Sequence, residues 1–176
     1  GLTLGDDGIS ATLTIGFDVN LSGVTHTGLR VMSNGQVQFG GSDVPFENTA
    51  LPLDGSSTRP TNIDAVLMPL WDDLNPGFNQ IRWRSQGTAP NRVFVVSWLS
   101  VPFYGSTNTA TFQVQLHEQG AIVYRYGAVA GGGNGATIGL EVGNTDFVQY
   151  SLNTAVVSNG TTIVWRYDTV PLVAGQ

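Results

Sequence analysis

The densest run of side chains able to do chemistry is Trp71-Asp72-Asp73-Leu74-Asn75-Pro76-Gly77. Three oxygen-bearing side chains fall within four positions, ahead of a proline and a glycine. Hard cations such as Ca²⁺ take about six to eight oxygens, usually several carboxylates with backbone carbonyls. Asp72, Asp73 and Asn75 are therefore candidate calcium ligands. Successive strand residues point to opposite faces, so only a turn brings Asp72 and Asp73 to one ion. Turn chemistry is the first expectation: an Asp bonds its own backbone while Pro76-Gly77 closes the turn. Another competitor is an ion pair with a buried arginine such as Arg82 or Arg84.

Weaker candidates surround other turns. Asp6-Asp7-Gly8 reads as the turn before the first strand. Glu141, Asn144 and Asp146 flank Gly143, where a hairpin is the default and a metal the alternative. His26 and His117 are the only histidines, and neither has a two-histidine metal spacing. Without cysteine, zinc and copper sites lack their usual donors, and so do disulfides and thiol nucleophiles. A serine triad needs a nucleophile beside a histidine, and no Gly-x-Ser-x-Gly elbow is present. Paired acids for glycoside cleavage depend on three-dimensional separation; Asp72 with Glu118 or Glu141 would be such a pair. The expectation is a protein that is not an enzyme.

Aromatic faces beside amides and carboxylates suit sugar binding. Phe103-Tyr104-Gly105 falls in a predicted loop, so Phe103 and Tyr104 are the candidate ligand contacts. Trp83 lies between Arg82 and Arg84 and in a strand faces away from both, toward the expected core. Asn20-Leu21-Ser22 and Asn159-Gly160-Thr161 match glycosylation sequons, a triplet that arises often by chance.

The elements that position these residues are strands. Helical periodicity is nearly absent, and period-two alternation recurs. Phe112, Val114 and Leu116 alternate with Gln113, Gln115 and His117, the mark of an antiparallel sheet with one wet face. Ser33-Asn34-Gly35 reads as a type I′ hairpin turn. Ser158-Asn159-Gly160 repeats the device, and Glu118-Gln119-Gly120 joins strands at 111–117 and 121–127. Further strands are expected near 11–19, 25–32, 36–40, 64–70, 80–86, 92–101, 136–142, 147–152 and 161–167. About ten strands with hairpin-like connections predict an all-β, antiparallel β-sandwich or jelly-roll-like domain over 1–168. Residues 169–176 are expected to be a tail or linker. The segment 41–62 reads as a surface loop, and Gly131-Gly132-Gly133-Asn134-Gly135 as a flexible one.

The totals narrow the function. Thirteen acids face seven basic residues, all arginine, for a net charge of −6. That balance argues against nucleic acid, whose binding relies on clustered Lys and Arg, and against anionic membrane surfaces. No run approaches the roughly 20 apolar residues of a membrane span. No leader sequence is evident, so the chain is expected to be a mature form or an excised domain. Lysine on edge strands commonly blocks edge-to-edge pairing; its absence leaves self-association open, and the tail from Val170 could add a strand to a neighbour.

Three stretches carry a resemblance. They are Leu4-Gly5-Asp6-Asp7 with Ile15-Gly16-Phe17, Val31-Met32-Ser33-Asn34-Gly35 and Phe39-Gly40; Met68-Pro69-Leu70-Trp71-Asp72-Asp73-Leu74; and Gly87-Thr88-Ala89-Pro90-Asn91-Arg92 leading into Phe94-Val95-Val96-Ser97-Trp98 and the strand from Thr111 to Leu116. From about Leu4 to about Tyr167 the chain resembles the nidogen-like β domain of modular bacterial surface and secreted proteins. The run from Asp18 to His26 departs from the aromatic pattern usual after Gly-Phe in that family. The resemblance implies an extracellular or cell-surface module that binds or assembles, with a glycan or a surface protein as partner, and supplies no catalytic residues. The alternatives are a subunit of an extracellular fibre and a calcium-dependent glycan-binding domain.

Overall fold

The alternation read from 112–117 becomes strand β7, Thr109–His117, in which Ala110, Phe112, Val114 and Leu116 are buried and the residues between them are not. The same two-residue period governs β1, Leu13–Leu21, which buries Ile15, Phe17, Val19 and Leu21. The computed structural model describes residues 1–41, 45–53, 65–143 and 145–166. The expected tail at 169–176 lies outside the described residues.

Among the described residues eleven strands form two open antiparallel sheets. The others are β2 Val24–Val31, β3 Val37–Gln38, β4 Val66–Trp71, β5 Ile81–Gln86, β6 Val93–Pro102, β8 Ala121–Val129, β9 Thr137–Gly143, β10 Asp146–Leu152 and β11 Thr162–Arg166. One sheet has the order β1-β2-β3-β4-β9-β10, the other β11-β8-β7-β6-β5. Their facing sides share one core. Ile15, Phe17, Leu29, Leu67 and Ile138 of the first meet Phe94, Trp98, Phe112, Val114 and Tyr124 of the second. Trp98 and Tyr124 keep their polar tips bonded, as low-dielectric surroundings favour. The Trp98 indole donates to Met32 O at 3.1 Å, and the Tyr124 hydroxyl to Gly139 O at 2.8 Å.

Strand β4 is buried along its whole length, which a one-sided sheet would not require. The described part of the segment expected to be a surface loop, 45–53, accounts for this. It lies over the outer side of the six-stranded sheet, where Leu51 and Leu53 pack with Val66, Met68 and Trp71. Trp71 Nε1 donates to Pro45 O at 3.0 Å. The outer side of the five-stranded sheet has no such cover among the described residues.

Two turn expectations are corrected. Ser33, Asn34 and Gly35 do join β2 to β3, but among them only Gly35 has a positive φ, +83°. Gly35 N bonds Met32 O and Met32 N bonds Gln36 O. That is a type I turn followed by a left-handed glycine rather than a type I′ turn. The turn is also buried, Ser33 and Asn34 at 0 % exposure. The 131–135 loop, expected to be flexible, is tied down: Val156 N and Val157 N both donate to Gly132 O. Gly133 is buried against the core.

Candidate functional site

Strand β4 delivers Asp72 and Asp73 to one end of the sandwich, and the β6–β7 connection brings Phe103 and Tyr104 to the same end. Tyr104 N donates to Asp73 O at 2.9 Å and Asn75 N to Pro102 O at 3.0 Å. The candidate metal ligands and the candidate ligand contacts, about thirty positions apart in sequence, are thus neighbours.

The three metal candidates do not share one surrounding. Asp72 faces a shallow recess of about 220 Å³ with Phe103, Ser106, Asn108, Gly131 and Asn134. Its Oδ1 accepts the Asp73 N–H at 2.9 Å, which is the expected turn chemistry. Asp73 instead gathers with Asp6 and Asp7, their carboxylate oxygens within 4.8 Å of one another. Asn75 lines a second depression beside Pro76, Gly77 and Gln80. Phe103 contributes to both depressions, while Tyr104 stands exposed.

Asn34 holds this arrangement together. Its Nδ2 donates to Asp7 Oδ1 at 2.8 Å, and its Oδ1 accepts Leu74 N–H at 2.9 Å. Ser33 anchors the same N-terminal loop, its Oγ accepting Gly8 N–H at 2.9 Å and its N–H donating to Gly8 O at 2.9 Å. Sequence reasoning missed this link because Asp7, Asn34 and Leu74 are brought together only by the fold. The one available signal was three polar turn motifs with no strand partner assigned.

The electrostatics follow from that packing. Burial raises the Asp72 carboxyl to about 6, opposed by the Asp73 N–H bond and assisted by Asp73 repulsion. Burial also raises Asp73, with Asp6 and then Asp7 adding like-charge repulsion. Glu118 lies at the far end of β7, so its separation from Asp72 is about 27 Å, eight steps of a strand. Arg92 Nε donates to Glu118 Oε2 at 3.0 Å, and Arg92 Nη2 pairs with Oε1. Side-chain and backbone bonds from Arg92 hold Glu118 down at about 2. Glu141 is buried and accepts Leu53 N–H at 2.8 Å, about 13 Å along β9 from Thr137, the partner of Trp71. Neither pair reaches the 5–10 Å or so that two-carboxylate glycoside cleavage needs.

The remaining candidates disperse. Asp146 accepts a hydrogen bond from Ser22 Oγ, and Asn144 lies outside the described residues. His26 packs on Phe39 with ring centroids 4.9 Å apart. His117 sits half-buried beside Gln115, and burial, then Arg125 and Arg166, lowers its pKa. Arg82 and Arg84 are exposed rather than buried. Trp83, expected to face the core, stacks on Phe94 at 5.5 Å but stays 40 % exposed, because β5 is the edge strand of its sheet.

One prediction concerns acidity. The folded chain holds the Asp72 proton more tightly than the unfolded chain, so stability falls as pH rises from about 4 through 6. A wholly buried carboxyl so displaced would cost about 3 kcal/mol at pH 8; Asp72 keeps a solvent-facing side, and screening brings this to about 1 kcal/mol. Asp72→Asn keeps the Asp73 N–H bond and removes that cost. Glu118 acts oppositely, its contribution being lost as pH falls below about 4.5 toward 2. Scanning calorimetry from pH 2 to 8 should show a midpoint maximum in mild acid. Asp72→Asn flattens the alkaline limb, and an unchanged limb refutes the assignment.

The fold and this end of it define an antiparallel β-sandwich module presenting an acidic, loop-built surface. The family model described as NIDO related matches residues 2–173. The chain belongs to the nidogen-related family, a membership that points to an extracellular domain. No curated protein matches it, and no solved structure does. Among the described residues no helix is long and apolar enough to cross a membrane.

Proposed function

We propose that the chain is a non-catalytic extracellular binding module, used in adhesion to a glycan or a surface protein. The observation that carries this reading is the unequal treatment of the two sheets. Residues 45–53 cover the middle of the six-stranded sheet, over β4, whereas the five-stranded sheet keeps an uncovered outer face of arginine, glutamine and serine side chains interspersed with valine among the described residues. A flat face on a well-packed scaffold is preorganised, so binding loses little conformational entropy. Retention of the chain on immobilised glycans and extracellular proteins, with the ligand recovered intact, is the expected result. Turnover of a retained ligand, abolished by one acid-to-amide change, would replace this reading with a hydrolase. Concentration-dependent growth in light scattering without any ligand would replace it with a fibre subunit.

A second reading adds calcium, favoured by the convergence of Asp6, Asp7 and Asp73. A cation bound only by the folded state stabilises it by about 2.7 kcal/mol at a hundred times its Kd. The melting temperature should therefore rise by about 5–10 °C in millimolar Ca²⁺ relative to EDTA. Asp73→Asn should abolish the rise. Equal midpoints in Ca²⁺ and EDTA would return all three carboxylates to turn chemistry.

A further inference from the structure

Charge is distributed unevenly over the two sheets. The five strands β5, β6, β7, β8 and β11 contain four arginines and no Asp or Glu. This is four of the seven basic residues in a chain of net charge −6. Strand register puts all four on one face. Arg82 pairs with Ser97, Ser97 with Gln113, Gln113 with Arg125, and Arg125 with Thr162. Arg84 follows two residues along β5 on the same side, in the row of Val95, Gln115, Val123 and Val164. Arg166 lies four residues from Thr162, again with the same parity. That side is opposite the core, because Ile81 and Trp83, which flank Arg82, pair with buried Trp98 and Val96.

We infer that the outer face of the five-stranded sheet is a binding surface for a carboxylated polysaccharide. The inference rests on the reading of the chain as a binding module and names its surface and ligand class. All four arginines are exposed. The ion pair found among the described residues belongs to Arg92, not to any of them. Their guanidinium groups can each take a carboxylate in a two-pronged bond. The spacing is sparse: about 7 Å from Arg82 to Arg84 along the strand and about 14 Å from Arg82 to Arg125 across three strand gaps. Between them stand hydroxyl and amide groups suited to sugar hydroxyls. Gln113, Gln115 and His117 form a bonded ladder, Gln115 Nε2 donating to Gln113 Oε1 at 2.8 Å and His117 Nε2 lying 3.2 Å from Gln115 Oε1. Arg82, Arg84, Val95, Ser97 and Gln113 also border one continuous depression. A polymer with no more than one charge per sugar and many hydroxyls matches this face. A densely charged one is opposed by the overall negative charge, which acts beyond the contact at low salt.

The test is the affinity of the full chain for soluble polygalacturonate at low and physiological salt. It compares Arg82→Gln with Arg84→Gln, Arg125→Gln with Arg166→Gln, and the control Arg30→Gln on the other sheet. Each double change should weaken binding at least tenfold, and the control should stay within about twofold; salt should weaken the unsubstituted chain. A loss in the control at least half that of each double change on a logarithmic scale, one charge removed against two, would mean net charge alone and overturn the inference. So would heparin or duplex DNA binding more tightly at matched salt. No affinity for the polyuronate, with retention on neutral glycans or proteins, overturns the inference but leaves the module reading. No retention on anything overturns both. Shortening of the polymer with binding still arginine-dependent overturns only the non-catalytic reading.

Discussion

Gly35→Ala is expected to remove most of the stability of the domain, by more than about 4 kcal/mol, a loss reserved for a few severe mechanisms. Two of them coincide here. The backbone φ of +83° is one that side chains bearing a Cβ rarely adopt, a cost of about 1–2 kcal/mol. A Cβ built there would also lie 1.9 Å from Leu70 O and 2.9 Å from Leu70 C. That oxygen belongs to β4, which is buried on both sides, so neither partner can withdraw without parting the strand from its neighbours. Gly120 isolates the two contributions. Its φ is +89°, yet a Cβ there would meet nothing within 4 Å. Gly120→Ala should therefore cost only about 1–2 kcal/mol, the conformational part alone. Guanidinium unfolding of both variants measures the difference. Equal shifts would mean that the close approach to Leu70 is not the reason for this glycine. Total stabilities of small domains are only about 5–15 kcal/mol, so Gly35→Ala is expected to leave little folded population at 37 °C, and the comparison is made at 10 °C.

How far the sequence foretold this protein depended on whether the cause was local. Each of the eleven strands among the described residues overlaps an expected span, its ends displaced by no more than two residues. Alternation is a property of neighbours in the chain and needs no tertiary knowledge. The wet face of β7 was legible for that reason; the exposure of Trp83 was not, because it follows from β5 standing at the sheet edge. The cover over the six-stranded sheet was not. A segment rich in Pro, Ser and Thr looks solvated, and only the fully apolar β4 hinted that something must lie on its second side. The arginine face was half legible. Arg82 and Arg84 share parity by inspection, but placing Arg125 and Arg166 beside them requires the order β11-β8-β7-β6-β5. The acidic end was the least legible, since Asp6 and Asp73 are 67 positions apart. The sequence put Asp73 with Asp72 and Asn75, its chain neighbours; the fold put it with Asp6 and Asp7.

Asn34→Ala is the second large effect, at about 3 kcal/mol. The site is fully buried, and the amide faces two demands at once. Leu74 N–H needs an oxygen, and the Asp7 carboxylate needs an N–H. These demands fix which end of the amide points where. Alanine leaves the Leu74 N–H without a partner, about 1–3 kcal/mol, and frees the N-terminal loop from the turn. Asn34→Asp separates the two demands. It keeps an acceptor for Leu74 N–H but sets a carboxylate against Asp7, with Asp73 close by. Burial and repulsion both oppose its ionisation, so its folded-state pKa lies above the unfolded value of about 4. Stability is then lost as pH rises through that interval and recovered in acid. Melting curves at pH 4 and pH 8 should show Asn34→Ala equally damaged at both, and Asn34→Asp near the parent at pH 4 but well below it at pH 8. An Asn34→Asp midpoint that does not move with pH would show that the amide serves Leu74 alone. The acidic end would then owe its shape to the two bonds between Gly8 and Ser33 rather than to the amide of Asn34.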